Sequence, residues 1–391
     1  MMGGYKMISE SIRYVGVNDK TIDLFESQYA VQNGMSYNSY LILDQKVALM
    51  DTVDVRGQQE WEANVTAALN GRTIDYIIVQ HMEPDHSGSL KTVLEKYPDA
   101  IVVGNAKTFA YIGQFFDVDL TGRTLEVKEG DTLRLGSHTL TFLMAPMIHW
   151  PEVMVTYEST EKILFSADAF GKFGSLDCEE DWACEARRYY FNIVGKFGAS
   201  VQTLLRKAAA LEIENILPLH GPLLTDNLAY YIDLYDKWSS YTPENRGVFI
   251  AYASIHGNTG KAAERLADKI RALGEEKVTV SDLCREDMAE CVEDAFRYDR
   301  MVLCSATYDG NAFVPMEDFL HHLQIKSYQN RTVGLMENGT WAPMAAKSMR
   351  GYLESMKNIR ILDETVTIRS ALKPSDEASL DALARALVEA Q

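Results

Sequence analysis

The pattern of apolar runs in the second part of the chain constrains the fold more than any other feature. From residue 247 onward, five apolar runs alternate with segments of helical periodicity. The runs are GVFIAYA, VTVSDL, RMVLCSA, TVGLM and IRILDETVTI, and the helical segments include 260–273, 315–325 and 342–356. Strands that alternate with helices form a parallel sheet with helices on both faces. The pattern therefore predicts an α/β domain over 247–391, with a doubly wound parallel sheet in the strand order 2-1-3-4-5.

The first part of the chain has a different pattern. Residues 1–243 contain short apolar runs separated by polar turns, which predicts strands, with helical periodicity between and after them. The clearest cases are YIIVQ at 76–80, IVVG at 101–104, TLTFLMA at 139–145 and ILFSA at 163–167, with helices at 186–211 and 226–239. The stretch YTPENRG at 241–247 combines Pro, Asn, Gly and charge, and is the predicted linker. We therefore expect a mixed α/β domain over 1–243.

Composition narrows the classes of function. The net charge of −18 has no offsetting block of Lys or Arg, so nucleic acid and anionic membranes are not expected partners. No apolar run reaches the roughly 20 residues that a membrane-spanning helix needs, and the first residues lack the apolar core of a signal peptide. The five cysteines form no CxxC pair, which argues against a rubredoxin-type iron site and a disulfide framework. The expectation is a cytoplasmic protein with reduced thiols.

A cluster of ionisable residues follows the apolar run at 76–80. The segment HMEPDHSGSL brings together His81, Glu83, Asp85 and His86 where a strand is expected to give way to a turn. Alternation along an extended backbone would direct His81, Glu83 and Asp85 to one side, and His86 would join them from the turn. These residue types at this spacing predict a metal site.

Three further candidates also follow predicted strands. His149 comes after TLTFLMAPMI, Asp168 after ILFSA and His220 after ENILPL. Four imidazoles and three carboxylates are too many for one ion with four to six ligands, but they suit two ions that share a bridging carboxylate. Asp168 is the best candidate for the bridge.

A purely structural role is the alternative to metal binding for each of these histidines. A lone histidine after a strand is more often a hydrogen-bonded structural residue than a metal ligand. Burying so many ionisable groups together would, however, cost much free energy without a cation to pair them. His138 in the turn GSHT, and His321 and His322 on a helix, are expected to face solvent instead.

A phosphate-binding loop is predicted at the start of the second domain. The strand GVFIAYA leads into SIHGNTGKAAERLADKI, in which a small polar loop opens a helix. Backbone N–H groups and the helix N-terminus can hold a phosphate there, and Gly257 permits a tight path around the anion. Such polar residues can also be mere helix caps. The loops SATYDGN at 305–311 and ENGTWAP at 337–343 favour the ligand site, because all three loops fall at the carboxyl edge of the predicted sheet.

The residues of the first domain resemble those of the flavodiiron proteins. HMEPDH matches the HxExDH motif of that family, 62 residues separate His86 from His149, and 18 separate His149 from Asp168. HWPEVMVTY and the HGP at His220 match further elements. The resemblance covers essentially the whole chain. It implies a metallo-β-lactamase-like αββα domain followed by a flavodoxin-like domain, with one iron held by His81, Glu83, His149 and Asp168, and the other by Asp85, His86, His220 and the same Asp168.

The second domain resembles the flavodoxin domain of the same family, which implies FMN. The sequence has no GxGxxG loop followed by an acidic ribose partner, which is the motif that would indicate a dinucleotide. Tyr308 and Trp341 are suited to bracket a flat ring system. The residues expected to bind FMN lie in the three loops: Ser254, Ile255, His256, Gly257, Asn258 and Thr259; Ser305, Ala306, Thr307, Tyr308, Asp309 and Gly310; and Asn338, Gly339, Thr340 and Trp341.

Glu83 bears on the type of chemistry. Hydrolytic relatives of this fold usually carry His at that place, which suits zinc and a metal-bound hydroxide. A carboxylate adds negative charge and a harder ligand, which favours iron that changes between the ferrous and ferric states. Glutamate at position 83 therefore indicates redox chemistry.

The resemblance implies a flavodiiron oxidoreductase. FMN would take electrons from a donor such as rubredoxin, a reductase or reduced F420, and pass them to the diiron centre, which reduces dioxygen to water, nitric oxide to nitrous oxide, or both. No catalytic side chain is expected beyond the metal ligands. A head-to-tail homodimer or a dimer of dimers is implied. Two alternatives stay open: a zinc hydrolase of the glyoxalase or lactamase type fused to a flavodoxin module, and a non-catalytic electron-transfer protein.

Overall fold

The computed structural model describes residues 6–390. Residues 1–5 and 391, which the predicted domains include, lie outside the described residues. The chain divides into two compact units, Met1–Tyr190 with Ala199–Asp236, and Phe191–Gly198 with Lys237–Gln391. The domain limits predicted from the sequence, 1–243 and 247–391, stay a prediction.

The first unit contains sixteen described strands, which form two large sheets and two short two-stranded sheets. In chain order they are β1 (Lys6–Met7), β2 (Ile12–Tyr14), β3 (Val17–Asp19), β4 (Leu24–Phe25), β5 (Tyr29–Ala30), β6 (Met35–Tyr37), β7 (Tyr40–Leu43), β8 (Val47–Met50), β9 (Tyr76–Ile78), β10 (Ile101–Gly104), β11 (Thr124–Glu126), β12 (Thr132–Arg134), β13 (Thr139–Met144), β14 (Met154–Glu158), β15 (Ile163–Phe165) and β16 (Asn215–Leu217). One sheet has the order β1-β2-β7-β8-β9-β10-β11 and the other β12-β13-β14-β15-β16. Strands β8 to β11 pair in parallel, as do β15 and β16.

The two large sheets pack face to face. Buried residues from both form one apolar cluster, with Ile42 and Met50 from the first sheet and Phe142 and Phe165 from the second. Because side chains alternate along a strand, the opposite face of each sheet is free to carry helices. The described helices of this part of the chain are α1 (Gln58–Leu69), α2 (Pro84–Ser87), α3 (Leu90–Lys96), α4 (Ala106–Phe115), α5 (Trp182–Tyr189), α6 (Gly198–Ala208) and α7 (Leu228–Ser239).

The helix predicted over 186–211 is not continuous. Between α5 and α6 the backbone forms a π-helical turn at Tyr190–Val194 and a 3-10 turn at Gly195–Phe197. A π turn places one extra residue in the helix and shifts the face that follows. The apolar periodicity of the sequence continues across this change of helix type, so periodicity alone did not reveal it.

The second unit is a single parallel sheet. Its strands are β17 (Asn245–Ala253), β18 (Val278–Asp282), β19 (Tyr298–Tyr308), β20 (Asn311–Ala312), β21 (Gln329–Asn338) and β22 (Lys357–Ile368), and its helices are α8 (Asn258–Ala272), α9 (Met288–Arg297), α10 (Val314–Ile325), α11 (Ala345–Glu354) and α12 (Glu377–Glu389). The sheet order is β18-β17-β19-β21-β22, with all neighbours parallel. This is the predicted order 2-1-3-4-5; the short β20 only folds back on β19.

Helices cover both faces of this sheet. On one face, Leu266 of α8 and Leu383 of α12 share a buried cluster with Ile250 of β17. On the other face, the ring of Phe319 in α10 contacts that of Phe249 in β17. Adjacent residues of β17 thus point to opposite helical layers, as expected for a strand buried on both sides.

The predicted linker at 241–247 is partly wrong. Its last three residues already belong to β17, because Asn245 pairs with Tyr298 of β19 before the register shifts ahead of Val248. Asp299 accepts a hydrogen bond from the Gly247 N–H at this irregularity. A bulge therefore admits polar, glycine-containing sequence into a strand. None of the helices among residues 6–390 is long and apolar enough to span a bilayer.

Candidate metal centre and flavin site

The seven predicted metal ligands of the first unit converge in two adjacent groups. They lie in the loops after β9, β13, β15 and β16 or in the short helix α2. One group contains His81, Glu83, His149 and Asp168, and the other contains Asp85, His86 and His220. All seven side chains are buried or nearly so.

The local backbone separates Glu83 from Asp85. Strand β9 ends at Ile78, and Pro84 opens α2, so Glu83 holds an extended conformation with φ −58° and ψ 140°. Proline disfavours the helical region for the residue before it and favours the first turn of a helix for itself. The expected alternation of His81, Glu83 and Asp85 along one strand face is therefore wrong. Asp85 lies on the helix and joins the other group.

Glu83 links the imidazoles of the first group. Its Oε2 atom lies 2.9 Å from Nε2 of His149 and 3.3 Å from Nε2 of His81. Both ring nitrogens also point towards Oδ2 of Asp168, at 3.2 Å from His149 and 3.5 Å from His81. Two Nε2 atoms and two carboxylate oxygens thus face one common space.

The second group likewise combines two imidazoles with a carboxylate that belongs to this group alone. The Nε2 atoms of His86 and His220 are 3.0 Å apart, and Oδ2 of Asp85 lies 3.4 Å and 3.2 Å from them. Nδ1 of His220 donates to the Ser36 carbonyl at 2.7 Å, which leaves its Nε2 as an acceptor.

Asp168 lies between the two groups. Its Oδ2 faces the first group, and its Oδ1 lies 3.1 Å from Nε2 of His86 and 3.9 Å from Nε2 of His220. One oxygen is therefore directed at each group, which is the arrangement of a carboxylate that bridges two ions.

Electrostatics couple the histidines to the carboxylates. Burial alone would lower the pKa of His149, but Asp168 and Glu83 raise it to about 9. Burial likewise opposes protonation of His81, yet Asp168, Glu152 and Glu83 raise its pKa well above the ordinary value. For Asp168, burial would raise the pKa, and the surrounding imidazoles of His86, His81 and His149 hold it well below its usual range. The cluster is thus built to attract positive charge.

Unsatisfied atoms show that the residues fit bound cations. Both carboxylate oxygens of Asp168 and both of Asp85 are buried without a partner in hydrogen-bonding geometry. Such atoms are costly to bury unless a cation or hydrogen-bond donor is present. A set of imidazoles and carboxylates suits borderline or hard ions such as ferrous and ferric iron. The donor set therefore fits a two-iron site.

Two acidic residues near the ligands were not identified from the sequence. Glu152 Oε1 lies 2.8 Å from Nδ1 of His81, and Asp51 Oδ1 accepts from the N–H groups of Gln80 at 2.8 Å and His81 at 3.3 Å. Both are buried. Asp51 directly follows the apolar run VALM, so the signal used for Asp168 was available for it. The position of Glu152 after HWP gave no comparable signal.

Aromatic rings enclose the metal groups. Phe25 and Tyr189 contact the ring of His220, with centroids 5.5 Å and 5.6 Å apart. Trp150 lies edge-on to His81 at 5.3 Å. Apolar walls lower the local dielectric and so strengthen the interaction of the carboxylates with a cation.

In the second unit, the predicted phosphate loop lies between β17 and α8. The first turn of α8 has no side-chain cap, and its N-cap residue Gly257 has φ 82°, a conformation that favours glycine. The hydroxyl of Ser254 is buried without a hydrogen-bond partner. A cavity of about 610 Å3 borders the loop and includes Ser254 and Gly257 in its lining. An uncapped helix N-terminus with a spare donor fits a phosphate group.

Side chains in the other loops serve partly to hold the loops together. Asn338 donates to the hydroxyl of Thr259 at 3.4 Å and to the Ser370 carbonyl at 2.9 Å. The Thr307 hydroxyl accepts from the N–H groups of Met344 and Ala345 at the start of α11. These side chains therefore contribute to the site by shaping its walls.

Two aromatic side chains are exposed in these loops. Tyr308 is 46% exposed and Trp341 is 87% exposed. Their rings are thus accessible for contact with a flat ring system. Tyr308 is the last residue of β19, which borders the point where the strand order reverses, and Trp341 follows the neighbouring strand β21.

The expectation that His138 faces solvent is wrong. It is buried, with Nδ1 2.8 Å from Oδ2 of Asp44 and Nε2 3.2 Å from Oε1 of Glu161. The residue types in GSHT are typical of an exposed turn, but two carboxylates from segments distant in sequence cover the imidazole. His321 is exposed and His322 is half-buried.

Comparisons with known proteins agree with this geometry. A family model described as ODP family beta lactamase matches residues 35–221. The anaerobic nitric oxide reductase flavorubredoxin of Vibrio vulnificus is 31% identical over 321 residues, which are 79% of this chain and 64% of that protein. The solved structure of rubredoxin oxygen:oxidoreductase from Desulfovibrio gigas has a TM-score of 0.91 at 24% identity and covers 99% of this chain and 98% of its own.

A second solved structure, the flavodiiron protein from Giardia intestinalis, has a TM-score of 0.89 at 23% identity, with 99% of this chain and 95% of that chain covered. These structures confirm the predicted fold class, a metallo-β-lactamase-like domain followed by a flavodoxin-like one. The chain is therefore similar to flavodiiron proteins in fold, and to an anaerobic nitric oxide reductase flavorubredoxin in sequence.

Proposed function

We propose that this chain is an oxidoreductase that reduces dioxygen to water, nitric oxide to nitrous oxide, or both, with electrons that FMN passes to a non-haem diiron centre. The observation that carries the proposal is the position of Asp168, which presents one carboxylate oxygen to each of two adjacent ligand groups. The resemblance to a flavorubredoxin and the glutamate at position 83 favour redox chemistry over zinc hydrolysis.

Seven residues are proposed as the iron ligands. One iron is held by His81, Glu83, His149 and Asp168, and the other by Asp85, His86, His220 and Asp168. The short distances between like atoms support this assignment. Two Nε2 atoms 3.0 Å apart, those of His86 and His220, are stable when a cation or a proton lies between them.

FMN is proposed to bind at the three loops of the second unit. The N-terminus of α8 with Ser254 receives the phosphate, and Tyr308 and Trp341 contact the ring system. The remaining residues of the proposed site form its walls: Ile255, His256, Gly257, Asn258, Thr259, Ser305, Ala306, Thr307, Asp309, Gly310, Asn338, Gly339 and Thr340.

The chain's own side chains orient and shield rather than attack. Iron and FMN, when bound, supply the one-electron steps and the binding of the gas. The imidazoles and carboxylates fix two neighbouring positions for the ions. The rings of Phe25, Tyr189 and Trp150 limit the access of water. No side chain is proposed as a nucleophile.

Electron supply and assembly are the finer parts of the proposal. The donor is proposed to be rubredoxin, a reductase or reduced F420, and the chain to act as a head-to-tail homodimer or a dimer of dimers in the cytoplasm. The name of the Desulfovibrio gigas protein, rubredoxin oxygen:oxidoreductase, supports a rubredoxin donor. The five cysteines form no disulfide, which suits a reducing compartment.

Metal and flavin analysis with gas uptake tests the proposal. Purified protein is analysed anaerobically for iron, zinc and flavin, then reduced, and the consumption of oxygen and of nitric oxide is followed in separate electrode traces. We expect two irons and one FMN per chain with rapid uptake of at least one gas. Zinc in place of iron, with no uptake of either gas, would contradict the proposal.

A further inference from the structure

Three imidazoles of the metal centre, those of His81, His86 and His220, differ in the group that contacts their outer nitrogen, Nδ1. Nδ1 of His81 contacts the carboxylate of Glu152 at 2.8 Å, and Nδ1 of His220 contacts the neutral Ser36 carbonyl at 2.7 Å. Nδ1 of His86 is buried without a partner. Among these three, only the first nitrogen is paired with a charged group.

The Glu152 carboxylate is fixed independently of any metal. Its Oε1 atom also accepts from the Met82 N–H at 2.9 Å, and its main-chain carbonyl accepts from Nδ2 of Asn105 at 2.5 Å. The same Met82 N–H lies 3.1 Å from Nδ1 of His81, but the carboxylate is the stronger acceptor. Asn105 is the N-cap of α4. Glu152 is thus held between a ligand loop and a helix start.

This contact affects both the tautomer and the basicity of the imidazole. A carboxylate at Nδ1 keeps the proton on that nitrogen and leaves Nε2 for a metal. It also draws the proton towards itself, which increases electron density on the ring and makes Nε2 a stronger ligand. A peptide carbonyl, as at His220, carries no net charge and therefore strengthens Nε2 as a ligand less.

We propose that Glu152 is a positioning residue that makes the two iron positions unequal, by lowering the reduction potential of the iron held by His81, Glu83 and His149 relative to the iron held by Asp85, His86 and His220. This inference rests on the proposed function. A more strongly donating ligand set stabilises the ferric state, so an iron held there would be the more easily oxidised of the two.

The variant Glu152→Gln separates charge from shape. The amide oxygen of glutamine keeps the acceptor for His81 and Met82, and its NH2 group replaces Oε2, which has no hydrogen-bond partner. The variant therefore loses the negative charge while the contact stays. We expect the fold and the flavin content to be retained, and the affinity of one iron position to fall by roughly 10- to 100-fold.

The readouts are spectroscopic and do not depend on turnover. In protein loaded with iron-57, Mössbauer spectroscopy distinguishes the two irons, and a redox titration gives the potential of each step. In Glu152→Gln, we expect the signal of one iron to shift and its potential to become more positive, while those of the other iron remain. Unchanged signals and potentials for both irons would overturn the inference.

Glu158→Gln is the matched control. Glu158 is equally buried at the end of β14, and its two carboxylate oxygens accept from the N–H groups of Thr160 and Glu161. The change removes a buried charge at the far end of the strand that follows Glu152, and it touches no ligand imidazole. We expect both iron signals and potentials to match those of the unmodified protein; a shift equal to that of Glu152→Gln would show a general charge effect and overturn the inference.

A second variant covers the case in which Glu152→Gln does not fold, as judged by circular dichroism. Glu152→Asp keeps the charge but withdraws it by one methylene group, which lengthens the contact to His81. The potential of the same iron is then expected to rise, and an unchanged potential overturns the inference. Unmodified protein without two irons would contradict the proposed function itself, which distinguishes the two failures.

Discussion

Two clusters of buried histidine and carboxylate groups in the first unit differ in how completely their atoms are paired. Around His138, Oδ2 of Asp44 accepts from the imidazole, from the His138 N–H and from the Ser137 hydroxyl, and Oδ1 accepts from the Gln45 N–H. Around Asp168, both carboxylate oxygens are buried without a hydrogen bond, while several ring nitrogens point at them.

The difference teaches how to distinguish a structural histidine from a metal ligand. The same residue types at similar burial form a closed network in one place and an open one in the other. A closed network is complete without any further group, whereas an open one has acceptors that only a cation or an additional donor can satisfy. Residue identity alone does not separate the two cases.

The largest effect is expected from a substitution at the centre of the open cluster. Asp168→Ala removes the carboxylate that faces both ligand groups, so we expect loss of both irons while FMN is retained. Elemental analysis and flavin absorbance measure this. Asp44→Asn, a change in the closed cluster, serves as the control and keeps its iron. Two irons per chain in Asp168→Ala would contradict the bridging role.

The next effect tests whether the two units bind their cofactors separately. The double change Asn258→Ala and Thr259→Ala alters the first turn of α8, where the phosphate is proposed to bind. We expect the variant to lose most of its flavin and to keep both irons, as measured by flavin fluorescence and elemental analysis. Retained flavin at the level of the unmodified protein would move the site elsewhere.

A smaller effect is expected when the closed cluster is opened. His138→Ala leaves the Asp44 and Glu161 carboxylates without the imidazole, and we expect the free energy of unfolding to fall by about 1 to 3 kcal/mol, as for a lost hydrogen bond to a charged group. Chemical denaturation of metal-free protein measures it. His321→Ala, at an exposed position, is the control and should change stability little. A loss of iron in His138→Ala would argue against a purely structural role.

The smallest effect is a pH dependence of that stability. Burial would lower the pKa of His138, but Asp44 and Glu161 raise it above its ordinary value. A raised pKa means that the folded state binds the proton more tightly than the unfolded one, so the stabilisation is fully present below about pH 6.5 and is lost as the pH rises through the folded pKa. The stability difference between the unmodified protein and His138→Gln should therefore shrink as the pH rises.

His322 offers the opposite sign as a comparison. Burial lowers its pKa, against an opposing effect of Asp318. The folded state then releases the proton more easily, so this histidine destabilises the fold at low pH, and His322→Gln should gain relative stability as the pH falls. Equal trends for the variants of His138 and His322 would contradict the electrostatic interpretation of both.

Most of the fold was predictable because its pattern is local. The five apolar runs of the second unit gave the order 2-1-3-4-5, since parallel strands joined by helices have few possible arrangements. Details that depend on long-range pairing were missed. The π turn at Tyr190–Val194 and the early start of β17 at Asn245 leave no periodic signal in the sequence.

The sequence by itself singled out the seven residues that are proposed as metal ligands, because ionisable side chains directly after several buried strands are costly to bury without a common partner. It did not determine their grouping. Only the tertiary structure placed Asp85 opposite His220, gave Asp168 an oxygen towards each group and enclosed His138 between two carboxylates. The physical reason is that pairing of buried polar atoms depends on distances across the fold, and residues such as Glu152 and His81, 71 positions apart, meet only when both sheets have formed.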